Sequence, residues 1–562
     1  VLYANNGSLC NFLKNYSQDR QGMVKMVSTF LLKYIGKQRL FVVSIFCTIF
    51  VLGLFIYKDY GLSVDEFTER NTGIVSLKYI ENFFSIDIFH TDPWLASDGD
   101  KPLHEYDDRF YGVAFQVPVL VLERVFGLKD TKKIFLFRHL MNFFVFFVGL
   151  CFFYRLVKKR FADWRLGLLG VFLLVCTPRI FAESFYNCKD IVLMSVMIIA
   201  VYASINFISK PSIVNLCYLA FISAITVDIR IVGIIIPVAT VALYAIVNLR
   251  NFGFTKKTPY YLLGYIGLLL IFVIMFWPVL WSSPYENFIA AYNKMSKYPW
   301  TGLVLYLGEY ITASALPWHY IPVWIAVTTP IMYLVLFVIG LVATAMRLVK
   351  IRLCFWNDIH DVQDVYFLGL VVVPILAIIF LKSTVYDGWR QLYFIYPYII
   401  ILVVMGFSKF MSVCLRKRYI AFFAFCCIAI FQLALINWMV KYHPHQNVYF
   451  NLLAGRELNK HFEMDYWGLS NRPALEYLVR YDKNDPIKLW DSGCSFVDIT
   501  RLILEPRDLF RVKVVSDIND ADYVITNYRC SNHDFDDDSG KELLYKLTID
   551  TTRIMSLYKI NK

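Results

Sequence analysis

Long apolar runs recur along residues 40–440, separated by connections that alternate between short basic stretches and longer acidic, aromatic ones. A helix needs roughly 20 apolar residues to cross a hydrocarbon core. On that measure the pattern predicts eleven spans, near 40–57, 134–154, 166–178, 190–208, 214–228, 231–248, 259–280, 321–346, 365–381, 391–407 and 419–440. The third and fifth are short, which predicts tilted, broken or neighbour-extended helices. The segment 110–127 is apolar but interrupted by Gln116, Pro118, Glu123 and Arg124. Such a run is better suited to an amphipathic helix lying along the outer surface than to a span.

The pattern changes after residue 441. Charge rises, turn pairs such as Asn484-Asp485-Pro486 enter, and short β-type runs such as Val512–Val515 and Tyr523–Thr526 follow. With a helical stretch at Pro473–Tyr481, this predicts a small α/β domain of about 120 residues. The expected division is a cytoplasmic N-terminal segment 1–38, a mainly α transmembrane domain 39–440 containing a long outer loop 58–133, and an extracytoplasmic C-terminal domain 441–562. The chain opens on Val, its first 22 residues are polar, and Met23 begins a more typical start, so 1–22 are expected to be an upstream translation extension.

Composition narrows the class. Of 562 residues, 58% are hydrophobic and only 18% charged. Soluble domains hold about 45–50% apolar and about 25% charged residues, so this is a polytopic membrane protein and not a disordered chain. The formal charge of +12 is read as orientation, not nucleic-acid binding, because no basic segment carries a groove-reading pattern. Lys33, Lys37 and Arg39 precede the first span, and basic residues return at every second connection: Arg155–Arg165, Arg250–Lys257, Arg347–Arg352 and Lys409–Arg418. The positive-inside rule then puts the N-terminus in the cytoplasm and the C-terminal domain outside. The twelve Cys form no C-x-x-C pair, which argues against a zinc or thioredoxin motif. Outside the cytoplasm, Cys494 and Cys530 can pair, or stay two buried thiols.

Three places concentrate chemistry. The long first outer loop opens with GLSVDEFTER, where Asp65 and Glu66 are adjacent carboxylates near the membrane border. A carboxylate there can accept a proton from a substrate hydroxyl; the plainer reading is a solvated acidic pair. The loop also carries His90, Asp92, Asp98, Asp100, His104 and further acids, without the spacing of a defined metal site. The second place is PRIFAESFYNCKDIVLMS, residues 178–195, where Arg179, Asn187, Lys189 and Asp190 crowd the fourth span. Lys189 near a helix N-terminus suits an anion, or else snorkels. The third is STVYDGWRQLYFIYP, residues 383–397, with Asp387 and Arg390. The Arg fork suits phosphate, or else balances a carboxylate in an aromatic belt. Arg138, at the outer start of the second span, can face the same cavity, while Asp228 and Arg230 read as a structural ion pair. His443 and His445 read as packing residues.

Taken in order, VDEFTER, RHLMNFF, PRIFAESFYNCKD, YDGWRQLYFIYP, HPHQNVYFN and DYWGLS resemble membrane glycosyltransferases of the GT-C class, closest to the protein O-mannosyltransferase and aminoarabinose-transferase branch. The resemblance covers most of 40–470 and implies a GT-C-like helical bundle. It also implies an inverting transfer of sugar from a polyprenyl-phosphate donor, such as undecaprenyl phosphate, to an acceptor outside a bacterial inner membrane. Asp65 is then the catalytic carboxylate and Glu66 its supporting acid. Arg390, Lys189 and Arg138 hold the donor phosphate, supported by Asn187, Asp190, Asp387 and Arg179. The partners implied are the lipid-linked donor, membrane lipids and a glycan, lipid or protein acceptor, with surface polysaccharide foremost; no nucleic acid, cofactor or metal is implied. Two other classes stand against this reading. A transporter or flippase of lipid-linked sugars wants charges at mid-bilayer, and a non-enzymatic scaffold leaves the acidic first loop unexplained.

Overall fold

The computed structural model describes residues 36–86, 101–251, 257–296, 298, 300–492, 495–529, 534–536, 538 and 540–561. Residues 36–56 form one unit and the chain from Tyr57 onward a second. The first unit is a single apolar helix, α1 (Gly36–Ile56), long enough to cross a membrane.

The second unit runs, in order, α2 (Val64–Phe84), α3 (Gln116–Val125), α4 (Thr131–Phe161), α5 (Trp164–Val175), α6 (Pro178–Tyr186), α7 (Asp190–Ser209), α8 (Ile213–Ile229), α9 (Ile235–Asn251), α10 (Lys257–Phe276) and α11 (Pro284–Ser296). After a β-hairpin of β1 (Leu303–Tyr306) and β2 (Glu309–Thr312) come α12 (Tyr320–Thr328), α13 (Ile331–Lys350), α14 (Ile359–Leu381), α15 (Tyr396–Cys414) and α16 (Arg418–Lys441). Among the described residues nine helices are long and apolar enough to cross a membrane, or ten if α5 and α6, bent by 73°, make one broken span. The helical, membrane-spanning class expected from the sequence holds.

Two of the eleven expected spans are short or broken, as their length implied, and one other needs correction. The third is the bent α5–α6 pair, and the fifth, α8, has only 17 residues. The run 321–346 is two helices, not one: Pro330 has no N–H to donate, and α12 stops at Thr328 before α13 restarts at Ile331. The expected surface helix within 110–127 is the ten-residue α3, whose Val125 is exposed while Glu123 is buried.

The helix termini follow local chemistry. Ser63 caps α2, and Glu66, three residues on, returns the bond to the Ser63 N–H at 3.0 Å, a reciprocal capping box. Asp130 caps α4 by accepting from the Lys132 N–H at 2.9 Å. At the end bearing the basic connections, Arg160 of α4 grips Asp364 of α14 through two bonds of 2.6 Å, and Arg347 of α13 pairs with Asp361 at 2.7 Å. α13 and α15 approach so closely that a Cβ on Gly340 would lie 1.9 Å from the Leu402 carbonyl, and one on Gly406 1.9 Å from that of Leu336. Small residues permit such backbone contact between membrane helices.

Beyond α16 lies a five-stranded sheet, order β4-β3-β5-β7-β6, of β3 (Ile487–Asp491), β4 (Val512–Val515), β5 (Tyr523–Thr526), β6 (Lys541–Ile549) and β7 (Thr552–Ile560). β3 runs parallel to β4 and β5, while β7 is antiparallel to β5 and β6. Helix α17 (Asn471–Tyr481) lays Ala474, Leu475 and Leu478 on Ile487, Leu489 and Leu557. Arg472 ties this region to the segment before α2 through the carbonyls of Lys58 and Tyr60, at 2.6 and 2.7 Å. Cys494 and Cys530, like residues 1–35 and His90, Asp92, Asp98 and Asp100, lie outside the described residues.

Candidate active site

Two pairs of neighbouring residues build the centre. On α2, Asp65 and Glu69 stand four residues apart and share one helix face. At the start of α7, Lys189 and Asp190 are consecutive, held by Asn187, whose Oδ1 accepts from the Asp190 N–H at 2.8 Å and the Lys189 N–H at 3.3 Å. Asn187 Nδ2 also donates to Glu183 at 2.8 Å. The pairs are then cross-linked. Lys189 Nζ bonds Glu69, with its ammonium 3.1 Å from the centroid of the Tyr111 ring. Burial pushes the Glu69 carboxyl up, and the Lys189 ammonium pulls it part of the way back.

Arg390 is the hub. Its Nη1 meets Asp65 Oδ2 at 3.1 Å and Asp190 Oδ2 at 3.2 Å, and its Nη2 meets Asp387 Oδ2 at 3.1 Å. The guanidinium stacks on Tyr386 and Trp467, 5.2 and 5.0 Å from their centroids. Asp190 Oδ1 in turn binds Arg230 Nη2 at 2.7 Å, and Asp387 Oδ1 binds Arg529 Nη2 at 2.8 Å. Within this network the side chains of Arg390, Asp190 and Asp387 are buried, whereas that of Asp65 is 32% exposed. Asp65 Oδ1 takes part in no hydrogen bond or ion pair among the described residues. Beside it runs an aromatic wall: Tyr111 lies 6.2 Å from Tyr298, Tyr298 6.2 Å from Tyr386, and Trp300 stacks on Tyr386 at 4.6 Å.

The structure therefore brings together Asp65, Lys189, Asp190, Asn187, Asp387 and Arg390. It places the other named residues differently. Glu66 is fully buried, committed to the capping box and paired with His139 at 3.1 Å. Arg138, also fully buried, bonds Glu123 and Gln116 and so locks α3 onto α4, with Arg70 on the other Glu123 oxygen at 3.0 Å. Arg179 donates to the Tyr449 carbonyl at 3.1 Å and lies over Phe450, anchoring the segment after α16. The expected Asp228–Arg230 ion pair is not formed. Asp228 accepts from the Ala114 N–H at 2.6 Å, while Arg230 turns to Asp190. A pairing between residues two apart would waste both, since each has a better-placed partner from another element. His443 pairs with Asp59 at 2.9 Å and His445 is buried. Among the described residues no group of three or more His, Cys, Asp or Glu side chains is placed to hold a metal ion.

Sequence reasoning missed Arg529 and Glu463. Arg529 lies in the tail, where no motif pointed. Glu463 is buried within the field of Asp387 and Arg529, and burial, reinforced by Asp387, pushes its carboxyl up to about 8. The one available signal was the resemblance of the neighbouring DYWGLS run.

A buried charge network at one end of the apolar helices, with one part-exposed carboxylate, makes this the candidate site of a membrane enzyme. Residues 125–277 match the family described as dolichyl-phosphate-mannose-protein mannosyltransferase, in line with the resemblance carried by the motifs. Among solved structures, the fold is similar to ArnT from Cupriavidus metallidurans bound to undecaprenyl phosphate, at 11% identity and TM-score 0.46, covering 92% of this chain and 97% of that one. The apo state of the same protein aligns at 13% identity and TM-score 0.47 over the same shares. No curated protein sequence matches the chain.

Proposed function

We propose that the chain is an inverting glycosyltransferase that moves a sugar from a polyprenyl-phosphate donor to an acceptor hydroxyl outside a bacterial cytoplasmic membrane. The observation that carries this reading is Asp65: a part-exposed carboxylate at the start of α2, gripped through one oxygen by buried Arg390, with the other oxygen unengaged among the described residues. The match of 125–277 to a family named for a dolichyl-phosphate sugar donor supports the donor class.

In this reading the acceptor oxygen attacks the anomeric carbon and its proton passes to Asp65 Oδ1. The bond from the anomeric carbon to the phosphate oxygen breaks as the glycosidic bond forms, with inversion. The electron pair leaves on the polyprenyl phosphate. As the bond breaks, the donor's phosphodiester monoanion becomes a phosphate monoester dianion, and pre-placed cations hold that added charge more strongly than they hold the intact donor. Lys189 and Arg230, the latter 20% exposed, are the groups beside Asp65 suited to this. Arg390 acts on the same centre mainly by fixing Asp65, because three carboxylates already occupy its fork. Arg138 is given no contact with the donor in this reading, since it is fully buried with Nη1 on Glu123 and Nη2 on Gln116. The lipid tail remains among the helices, which fixes the height of the headgroup.

The C-terminal domain sits against the site through Trp467 and Arg529. A surface polysaccharide chain is the acceptor class this placement favours. The test incubates purified protein with a panel of polyprenyl-phosphate sugars and candidate glycan acceptors, reading polyprenyl phosphate release. Acceptor-dependent release by wild type, lost in Asp65→Asn, is the expected result. Absence of release with every donor, or full release by the variant, overturns the reading.

A further inference from the structure

We propose that Arg529, supplied by the C-terminal domain, is a positioning residue of the active site: it holds Asp387 so that Arg390 keeps Asp65 aimed outward. This rests on the reading of Asp65 as the base.

The backbone around Arg529 is built to deliver it. Asn527, just past the end of β5, donates to the Asp465 carbonyl at 2.9 Å and accepts from the Arg529 N–H at 3.2 Å. Tyr528 takes the left-handed conformation, φ +61°, and is pinned by its hydroxyl to Ser556 Oγ at 2.6 Å. The guanidinium that emerges is largely buried. Nη1 donates to the Tyr466 carbonyl at 2.6 Å, Nη2 meets Asp387 Oδ1 at 2.8 Å, and the group lies 5.0 Å from the centroid of Phe496.

Its target is equally constrained. Asp387 has φ +55°, in the left-handed region that non-glycine residues adopt uncommonly. Its two oxygens are divided, Oδ1 to Arg529 and Oδ2 to Arg390. The network thus reads Arg529–Asp387–Arg390–Asp190–Arg230, with Asp65 branching from Arg390. Three guanidiniums meet three carboxylates, and the sum is neutral. Without Arg529 the sum becomes negative, and one buried Asp387 oxygen loses its partner. A buried carboxylate stripped of a partner is strongly unfavourable. Arg390 is the neighbouring cation left to satisfy it, and each donor turned to Asp387 is one withdrawn from Asp65. The extra negative charge also opposes the charge that develops on the departing phosphate. Both effects act on the transition state more than on donor binding.

A role confined to gluing the domains together would instead be felt in stability. The full chain in lipid nanodiscs distinguishes the two, with kcat, donor KM and apparent Tm measured for wild type, Arg529→Ala, Arg529→Gln and Arg529→Lys. Arg529→Gln keeps a donor for the Tyr466 carbonyl while removing the charge, and serves if Arg529→Ala does not fold. The expected result is a fall in kcat of about tenfold or more in both neutral variants, with donor KM changed by less than about threefold. Arg529→Lys retains a larger share of kcat, and added guanidinium restores part of the turnover of Arg529→Ala but none of Asp65→Asn. Near wild-type kcat in Arg529→Gln overturns the proposal. So does a loss of kcat that follows loss of folded protein and answers neither to Lys nor to guanidinium. Absence of turnover in wild type is a different failure, that of the glycosyltransferase reading itself.

Discussion

Asp65 and Glu66 are neighbours in sequence and opposites in the fold. One is part-exposed, with an oxygen that has no partner among the described residues; the other is sealed beneath Ser63 and His139. Asp65→Asn keeps shape while removing charge and basicity, so turnover on folded, size-purified protein should fall about 10²–10⁴-fold, the usual contribution of a general base. Near-normal turnover would remove Asp65 from the chemistry. Glu66→Gln acts elsewhere. It weakens the capping box and the His139 pair, so it should lower stability by about 1 kcal/mol, the scale of a helix cap, with a milder effect on turnover per folded molecule. Thermal melts beside activity assays separate these outcomes. The adjacency of two acids was legible in the sequence, and the Ser63–Glu66 spacing carried a capping-box signal, but the burial of Glu66 against His139 was not, because that partner arrives from a helix distant in sequence.

Glu463 gives a further residue-scale expectation. Its carboxyl is raised from 4.5 to about 8, mainly by burial. The folded protein then binds a proton that the unfolded chain releases above pH 4.5. The stability held by this group is full below that pH and is lost as pH rises toward about 8. Glu463→Gln, neutral throughout, should flatten the decline of apparent Tm between pH 5 and pH 8. An unchanged slope would show that this carboxyl does not govern it.

At the scale of elements, helix packing makes its own demands. Gly340 and Gly406 let α13 and α15 touch backbone to backbone, and a methyl group at either would sit 1.9 Å from a facing carbonyl oxygen. Gly340→Ala or Gly406→Ala should force the helices apart and cost about 1–3 kcal/mol, as overpacking does. The double variant should cost less than the sum, because one separation accommodates both methyl groups. Denaturant titration in detergent reads the difference, and additive losses would place the two glycines in independent contacts. Most spans were legible because apolar runs of the required length are hard to hide. The break between α12 and α13 was not, since the run from 321 to 346 stays apolar across Pro330. The partners of Arg230 and Asp228 were illegible for another reason: each is decided by which helix end arrives beside it.

For the molecule as a whole, basic connections gather at one end of the helices, where Arg160 and Arg347 are also drawn into pairs with Asp364 and Asp361. The site residues gather at the other. If the basic end is cytoplasmic, position 540 is outside. A cysteine introduced by Gly540→Cys, in a chain freed of its other reactive thiols, should then react with an impermeant maleimide in intact cells. Protection until lysis would reverse the orientation. The tail that supplies Arg529 was the least legible part, because a lone arginine after a short strand carries no motif, and its meaning lies in reaching Asp387.

That reach has a consequence for how the protein is made. Chains are synthesised and inserted from the N-terminus, so α2, α7 and the Asp387–Arg390 loop are in place before the strand that leads into Arg529 has left the ribosome. Until that last segment has been carried to the same side of the membrane and has docked, the Asp387 oxygen that Arg529 holds must be met by solvent. A nascent or prematurely terminated chain would carry the carboxylate and its arginine hub without the brace that aligns them. The bond between Asp387 and Arg529 thus ties competence to delivery and docking of the domain that carries Arg529, sparing the cell a half-built enzyme that consumes its lipid-linked sugars.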